Sequence, residues 1–431
     1  MKPSVVITGL GAVVPHGHSV AEAWPKIAAG ESAVDRISLY DPSGHITQIG
    51  AEVKPGFEAP ERIGPFALDY SALRYTWGAV HEALQQAGLG DDVGNLDPKR
   101  AVVATTGVSR ATLEAIGPTM MRCYGPVENP WRMDLHDFFV EMPKAPEAPE
   151  LLPFLLEEAA PMAAWLAGAG QTWNVASACA SGSHALADAA ALIENGEAEV
   201  VVAVGVCTGI NPALVTGFAI LGALSTRNDD PQAASRPFDK GRDGFVLGEG
   251  AACMVLESAE HAAARGAKPL AELAGWGLSC DSYRLTDPQP EGIGMSLAMQ
   301  RALDHAGLEP TAIDYINAHG TSTAYNDSAE TMAVRTTFGA HANNIPVSSS
   351  KSMFGHLIQA AGLLEGIVCT KAIEDSWVPP TINYSDPDPA CDLDVVPNVG
   401  RKADLELVMS NSFGFGGQNA TIILRRPELK S

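Results

Sequence analysis

The stretch Ser181–Glu194, SGSHALADAAALIE, limits what this chain can fold into more than any other. It is built mostly of Ala, Ser, Gly and Leu, so as a helix it presents little bulk on any face. Such a helix belongs in the centre of the molecule, with other backbone packed closely around it. A β-like run, Thr172 to Ala176, precedes it, followed by Ser177-Ala178-Cys179-Ala180. Cys179 is therefore placed at a strand-to-helix turn, with its sulfur at the positive end of the helix. That end favours the thiolate, the nucleophilic form of cysteine. A free cysteine is also a common small core residue, and this stretch alone leaves that reading open.

Alternation of strand and helix signals along the chain indicates an α/β architecture. Val5-Val6-Ile7-Thr8-Gly9-Leu10-Gly11 reads as a first strand carrying G-x-G. A dinucleotide fingerprint would need a third glycine where Val14 stands, and Pro15 and Gly17 continue the loop instead of opening a helix. A helix is predicted from Tyr70 to Gly88 and strands over Arg100–Thr106 and Glu199–Val206. Met120 to Pro153 is different: Tyr124, Trp131, Phe138 and Phe139 stand among Pro143, Pro146, Pro149 and Pro153. It reads as a long structured excursion, either functional or a flap over an apolar face. Arg236 to Phe245 alternates opposite charges and reads as an ion-paired brace, followed by a strand over Ala251–Leu256. A helix over Ser258–Gly266 and a strand from Pro269 put the midpoint near residue 260, giving halves 1–260 and 261–431.

Composition removes several function classes. The chain has 431 residues, 46% hydrophobic and 18% charged, enough for two domains or one double domain. A formal net charge of -23 disfavours nucleic acid and anionic membranes as partners. The seven cysteines (Cys123, Cys179, Cys207, Cys253, Cys280, Cys369 and Cys391) form no C-x-x-C pair. That argues for a reducing compartment and against a disulfide framework or a cysteine zinc site. The Gly-broken run Val5 to Val14 reads as a first strand rather than a signal peptide, and the apolar run Gly209 to Leu224 is interrupted by Asn211 and Pro212, so no membrane span is expected. The expected location is the cytoplasm.

The second half places two histidines in similar settings. A strand over Asp314–Ala318 is followed by His319-Gly320-Thr321-Ser322-Thr323, and one over Ile345–Ser348 by Ser349 to His356, with Lys351 inside. His356 opens a small-residue helix, Leu357 to Ala372. A strand over Glu406–Met409 is followed by Asn411-Ser412-Phe413-Gly414-Phe415-Gly416-Gly417. Ligand sites of α/β folds lie beyond the carboxyl ends of strands. A lone histidine is more often a core group. Two in the same topological place, with a helix-capping cysteine, point to a Cys-His-His site.

At these residues the chain resembles the β-ketoacyl synthase family of condensing enzymes, of the elongating kind that serves fatty acid and type II polyketide synthesis. The motifs that carry the resemblance are Ser177–Gly182, Arg236–Phe245, His319–Thr323, Lys351–His356 and Asn411–Gly417, which run through nearly the whole chain. The resemblance implies a thiolase-type fold: two similar βαβαβαββ halves stacked as an αβαβα sandwich, the first holding the cysteine and the second the histidines. It also implies a dimer.

Chemistry and resemblance agree on roles. Cys179 would hold an acyl chain as a thioester, because sulfur both attacks and leaves well. Decarboxylation of a malonyl thioester would supply the carbanion, with neutral His319 and His356 donating N–H groups to its enolate oxygen. Lys351 is expected to orient His356 or tune the local field, paired with Glu330. The resemblance implies an oxyanion and gating role for Phe415 and Gly416, and pantetheine contacts for Thr321 and Thr323. Glu330, Asp327 and Glu365 are the expected structural support. No metal or cofactor is expected; the substrates would ride on the phosphopantetheine of an acyl carrier protein. Degradative thiolases would carry a second cysteine where Phe413 and Phe415 stand, and initiating synthases an Asn where His356 stands. The rival reading from another class is a chain-length-setting subunit of a heterodimer; such subunits lack the cysteine that this chain keeps. Carriers are acidic and the family meets them with basic side chains, yet Leu68 to Leu73 reads Leu-Asp-Tyr-Ser-Ala-Leu with only Arg62 and Arg74 flanking. A dedicated carrier is therefore expected, with a homodimeric or related heterodimeric partner chain.

Overall fold

The computed structural model describes residues 2–91, 93–106, 140 and 158–428. Most of the Pro- and aromatic-rich excursion, Met120 to Pro153, lies outside them. The elements that position the site are, in order, β1 (Val5–Val13), α1 (Ser71–Ala87), β2 (Asp97–Thr106), α2 (Ala159–Ala167), β3 (Ala169–Asn174), α3 (Ser181–Glu194), β4 (Val200–Cys207) and β5 (Gly250–Ser258). Then follow β6 (Ala271–Cys280), α4 (Ile293–Ala306), β7 (Tyr315–Asn317), α5 (Ala324–Phe338), β8 (Val347–Ser348), α6 (Ala361–Asp375), β9 (Leu407–Gly414) and β10 (Gln418–Arg425).

Among the described residues these strands are joined in the order β8-β7-β9-β10-β6-β1-β5-β4-β2-β3. The sequence falls into two half-sheets, 3-2-4-5-1 and 8-7-9-10-6, which are the same arrangement with every number raised by five. In each, the first two pairings are parallel and the last two antiparallel, so four strands run one way and only β5 or β10 runs against them. The halves meet where β1 pairs β6 at Val6↔Glu272 and Ile7↔Ala271, and Glu272 pairs on its other side with Arg425 of β10.

Each half-sheet is covered on both faces, which explains the unbroken apolar runs of its strands. In β4, Val200, Val202, Val204 and Val206 face an outer layer with α1 and α2, while Val201, Ala203 and Cys207 face the central core with α3 and α6. In β10, Ile423 faces α4 and α5, while Ile422 and Leu424 face the centre. The layers are therefore helix, sheet, helix, sheet, helix, as expected of the thiolase fold.

The glycines of β1 serve packing. A Cβ on Gly9 would stand 2.1 Å from Ala83 O and one on Gly11 1.9 Å from Ala79 O, both in α1. Gly275 and Gly277 take the same places in β6, 2.5 and 2.1 Å from Ala302 O and Ala298 O of α4. The G-x-G of the first strand is thus half of a repeated helix-on-sheet contact. In the central layer α3 and α6 cross at their first turns. A Cβ on Gly182 would meet Leu363 N at 2.7 Å, and one on Gly362 would meet Ser183 N at 2.5 Å. That crossing brings the turn before α3 against the turn before α6.

Two boundaries differ from the sequence reading. The stretch Asn411–Gly414 is strand, the end of β9, because Gln418–Thr421 pairs with it as a hairpin from Asn411↔Thr421 to Gly414↔Gln418. The helix expected from Leu357 starts at Ala361, after a single 3-10 turn over Ile358–Ala360. No helix among the described residues is long and apolar enough to cross a membrane.

Candidate active site

Cys179 sits on a 3-10 turn, Ala178–Ala180, between β3 and α3. Ala178 adopts a left-handed φ of 49°, which turns the chain sharply at the residue before the sulfur. Ser181 fastens the bend: its Oγ accepts from Ser177 N at 2.9 Å and donates to Ala178 O at 2.6 Å. The turn ahead of α6 is built alike: three residues, Ile358–Ala360, opening with Ile358 at φ 43°. Each half thus enters its central helix through an elbow. One elbow carries Cys179; His356 stands just before the other.

The remaining groups come from matching strand ends. His319 follows β7, Lys351 and His356 follow β8, and Phe415 follows β9. With Cys179, Thr321, Thr323, Phe413 and Gly414, the two histidines and Phe415 line one cavity of about 200 Å³. The rings of His319 and His356 meet edge to face with centroids 5.3 Å apart. Gly414 lets the end of β9 touch the nucleophile turn, since a Cβ there would lie 2.9 Å from Ser177 O and 3.1 Å from Cys179 N. The backbone N–H groups of Phe415 and of Cys179 itself both act on the sulfur. Thr321 and Thr323 join hydroxyls at 2.9 Å on the cavity wall.

Both histidines are neutral at physiological pH. Burial holds each ring well below the usual imidazole range, and the Lys351 cation pushes the same way. Ile358 N donates to Nδ1 of His356 at 3.3 Å, so the ring proton sits on Nε2. Nε2 of His356 and Nδ1 of His319 have no hydrogen-bond partner among the described residues. The His356 backbone is clamped by its N–H to Val246 O at 2.7 Å and by Gly248 N to its own carbonyl at 3.0 Å.

Cys179 departs from the sequence reading. Burial pushes its thiol up to about 11, against the opposing pulls of the Phe415 N–H, the Lys351 cation and its own N–H. The helix N-terminus therefore does not deliver a resting thiolate; desolvation is the larger effect.

Lys351 is also corrected. Its Nζ pairs with Glu365 of α6, and both side chains are buried. Glu330 instead accepts from His319 N and Gly320 N, each at 2.8 Å, and from Asn411 Nδ2 at 3.3 Å, so it holds the His319 turn. Burial raises both Glu330 and Glu365 to about 7, opposed in Glu330 by those backbone N–H groups and in Glu365 by Lys351. Asp327 accepts from Phe238 N at 2.8 Å and lies 3.8 Å from Arg242 Nε, tying α5 to the charged loop.

The loop Arg236–Phe245 is the brace its charges suggested. Asp239 accepts from Arg236 Nε, Gly241 N, Ser385 N and Asp386 N, and Arg242 reaches Asp388 at 2.6 Å and Thr323 O at 3.1 Å. Its second role has no local signature: Phe245 lines the cavity and meets the His356 ring at 5.4 Å. Phe218 bridges Phe245 and Phe415, at 5.5 and 6.4 Å. Neither aromatic was legible as a site residue. Cys391 lies away from the cavity, buried beside Arg242 and Asp327, so no second thiol stands opposite Cys179 among the cavity-lining residues.

A two-half α/β sandwich with a cysteine elbow facing two neutral histidines defines a thiolase-fold condensing enzyme. The family model for the β-ketoacyl synthase N-terminal domain matches residues 2–129 and 158–262, and that for the C-terminal domain residues 270–385. The chain belongs to the β-ketoacyl synthase family. It is 42% identical to the 3-oxoacyl-[acyl-carrier-protein] synthase 2 of Coxiella burnetii, over 99% of both chains. It is 38% identical to an oxytetracycline polyketide β-ketoacyl synthase of Streptomyces rimosus, over 98% of this chain and 97% of the relative. Among solved structures, a type II polyketide ketosynthase in complex with its acyl carrier protein, bound to the hexaketide, superposes with a TM-score of 0.85. It is 33% identical, over 99% of this chain and 100% of that one. The ishigamide ketosynthase/chain length factor gives a TM-score of 0.83 at 32% identity, over 99% and 100% of the two chains.

Proposed function

We propose that this β-ketoacyl synthase extends an acyl chain held on Cys179 by decarboxylative condensation with a malonyl group carried on phosphopantetheine. The observation that carries the reading is the convergence of Cys179, neutral His319 and neutral His356 on one cavity. In the first half-reaction Cys179 Sγ displaces the carrier thiol from the acyl carbonyl, and the thiol proton ends on the departing pantetheine. In the second, the malonyl carboxylate leaves as carbon dioxide. Its bonding electrons pass to an enolate whose oxygen takes N–H hydrogen bonds from His319 and His356. The enolate carbon bonds to the Cys179-bound carbonyl, whose oxyanion is met by the N–H groups of Cys179 and Phe415. Collapse expels the Cys179 thiolate, which takes one proton from solvent. The cycle is redox-neutral and draws on no metal or cofactor. Lys351 acts through its field, which adds to burial in keeping both imidazoles neutral, and Glu330, Asp327 and Glu365 hold the loops. Thr321 and Thr323 contact the pantetheine arm, and Phe415 with Gly416 gates the acyl site; Gly416 stands at φ 78°, and a Cβ there would meet nothing within 4 Å.

The partners proposed are a dedicated acyl carrier protein and a second chain of the same fold, in the cytoplasm. Among the described residues β3 ends the sheet, and Gly170, Gln171 and Thr172 are exposed along its outer edge. A copy of this chain or a related ketosynthase-like chain would close that edge. Mass analysis of the chain expressed alone separates the two: a homodimer needs no other component. The function itself is tested by intact mass. Incubation with an acyl thioester should add one acyl group on Cys179, and malonyl thioester should then release a β-ketoacyl product. Absence of an adduct on Cys179 in an enzyme that still forms product would refute the reading.

A further inference from the structure

The cavity opens through a rim made from three separate elements. Ile220 and Leu221 end the helix Pro212–Ile220, Leu285 lies in the loop between β6 and α4, and Tyr325 stands in the first turn of α5. Leu221 and Tyr325 line the cavity. Leu285 is joined to its gate, because Gly416 N donates to Leu285 O at 2.7 Å. These side chains are 79% (Ile220), 55% (Leu221), 84% (Leu285) and 69% (Tyr325) exposed. Large apolar groups so far out of the core, gathered around one opening, mark a contact surface rather than scattered surface residues.

Among the described residues, the charged side chains that line the cavity are all acidic. Asp243, Asp281 and Asp287 line it. Arg284, from the Leu285 loop, is tied to Asp287 at 3.0 Å and lies over the Tyr283 ring at 5.3 Å. The arginines flanking the start of α1 are engaged by their own chain: Arg62 donates to Pro65 O at 2.9 Å and Arg74 to Phe57 O at 3.2 Å. A protein that threads a phosphopantetheine arm to Cys179 must sit on this rim, and an acidic face would meet acids there.

We propose that Ile220, Leu221, Leu285 and Tyr325 form the docking surface for the substrate carrier protein, and that the carrier this chain uses presents an apolar, weakly charged face. This rests on the ketosynthase reading above. Association then lacks electrostatic steering, and salt screens a repulsion instead of an attraction.

The test uses malonyl groups on a strongly acidic carrier protein of the fatty acid type, and malonyl-N-acetylcysteamine as the carrier-free substrate. For the unaltered enzyme, kcat/KM with the acidic carrier should stay flat or rise as salt goes from about 50 to about 300 mM. Ile220→Arg/Leu285→Arg should raise kcat/KM with that carrier about tenfold at low salt and make it fall as salt rises. Ile220→Ser/Leu285→Ser, which only trims apolar area, should lower it about fivefold at all salt concentrations. Turnover of the carrier-free substrate should be the same in all three proteins. The proposal is overturned if both double variants match the unaltered enzyme with the carrier. It is equally overturned if the unaltered enzyme loses kcat/KM as salt rises, as docking on basic residues would require. A failure of the unaltered enzyme to turn over the carrier-free substrate would instead count against the ketosynthase reading.

Discussion

Ile358 donates its backbone N–H to Nδ1 of His356 at 3.3 Å, and it does so from a left-handed φ of 43°. The contact fixes which nitrogen of His356 carries the proton, and it comes from the second copy of the bend that presents Cys179. The bend that exposes a nucleophile in one half sets a hydrogen-bond donor in the other.

Separate roles for sulfur and imidazole give separable phenotypes. Cys179→Ala should abolish acyl transfer to the protein while leaving malonyl decarboxylation measurable. His319→Ala or His356→Ala should still take up the acyl group but lose decarboxylation and condensation by about 100- to 1000-fold, the usual effect of removing one oxyanion donor. Intact mass reads the first step and carbon dioxide release the second. Normal product formation by Cys179→Ala would remove the sulfur from the mechanism.

The pH dependence of Cys179 follows from its burial. Desolvation disfavours the charged thiolate, so the thiol is raised to about 11 and is protonated at neutral pH. Alkylation of Cys179 by iodoacetamide in the substrate-free enzyme should climb with pH through 8 to 10 without a plateau, the range being about that of an ordinary thiol's titration. A plateau reached near neutrality would mean that the helix end and the Phe415 N–H outweigh burial.

Lys351 and Glu365 should behave as a unit. Lys351→Met or Glu365→Leu alone leaves one buried charge unpaired and should cost about 3–5 kcal/mol in urea unfolding. The double variant removes both charges and should recover most of that loss. Its readout on chemistry is different: without the cation the two histidines are less strongly held neutral, so the acid limb of the decarboxylation profile should move to higher pH. A double variant that loses the sum of the two single losses would show that the two charges do not act as a pair.

The repeated glycine contacts should answer alike. Gly11→Ala and Gly277→Ala put a Cβ 1.9 and 2.1 Å from a helix carbonyl, and neither helix can move without leaving its sheet. Each should destabilise by about 2–4 kcal/mol, the cost of overpacking against backbone. Gly44→Ala, where nothing lies within 4 Å, should be within about 0.5 kcal/mol of the parent. Thermal unfolding of the three variants gives the comparison.

The sequence shows the skeleton of this site because strands and small-residue helices leave local signatures. Cys179, His319, His356 and Phe415 each follow a strand, and that regularity puts them at one end of the sheet. Partners set by tertiary packing leave no such trace. Glu330 on the outer helix α5 and Glu365 on the central helix α6 look alike as acids in helical segments, and only the packed helices show that Lys351 reaches Glu365 while Glu330 holds the His319 turn. Phe218 lies in an interrupted apolar run and Phe245 in a charged loop, and their aromatic contact depends on how those two segments pack, which neither shows by itself. The resting state of Cys179 was misread for a related reason: the helix end is local and visible, whereas desolvation is a property of the whole core.

The row Val6, Glu272, Arg425 has a consequence for the order of the chain. Glu272 pairs with Val6 on one side and Arg425 on the other, so the start of β1 and the end of β10 are two strand spacings apart, roughly 10 Å. The path of the strands is a ring that happens to be cut there. A circular permutant, bridged across that gap by a few residues and reopened between β5 and β6, would keep every pairing of both half-sheets. The histidine half would then leave the ribosome before the cysteine half, so neither order of synthesis is written into the fold.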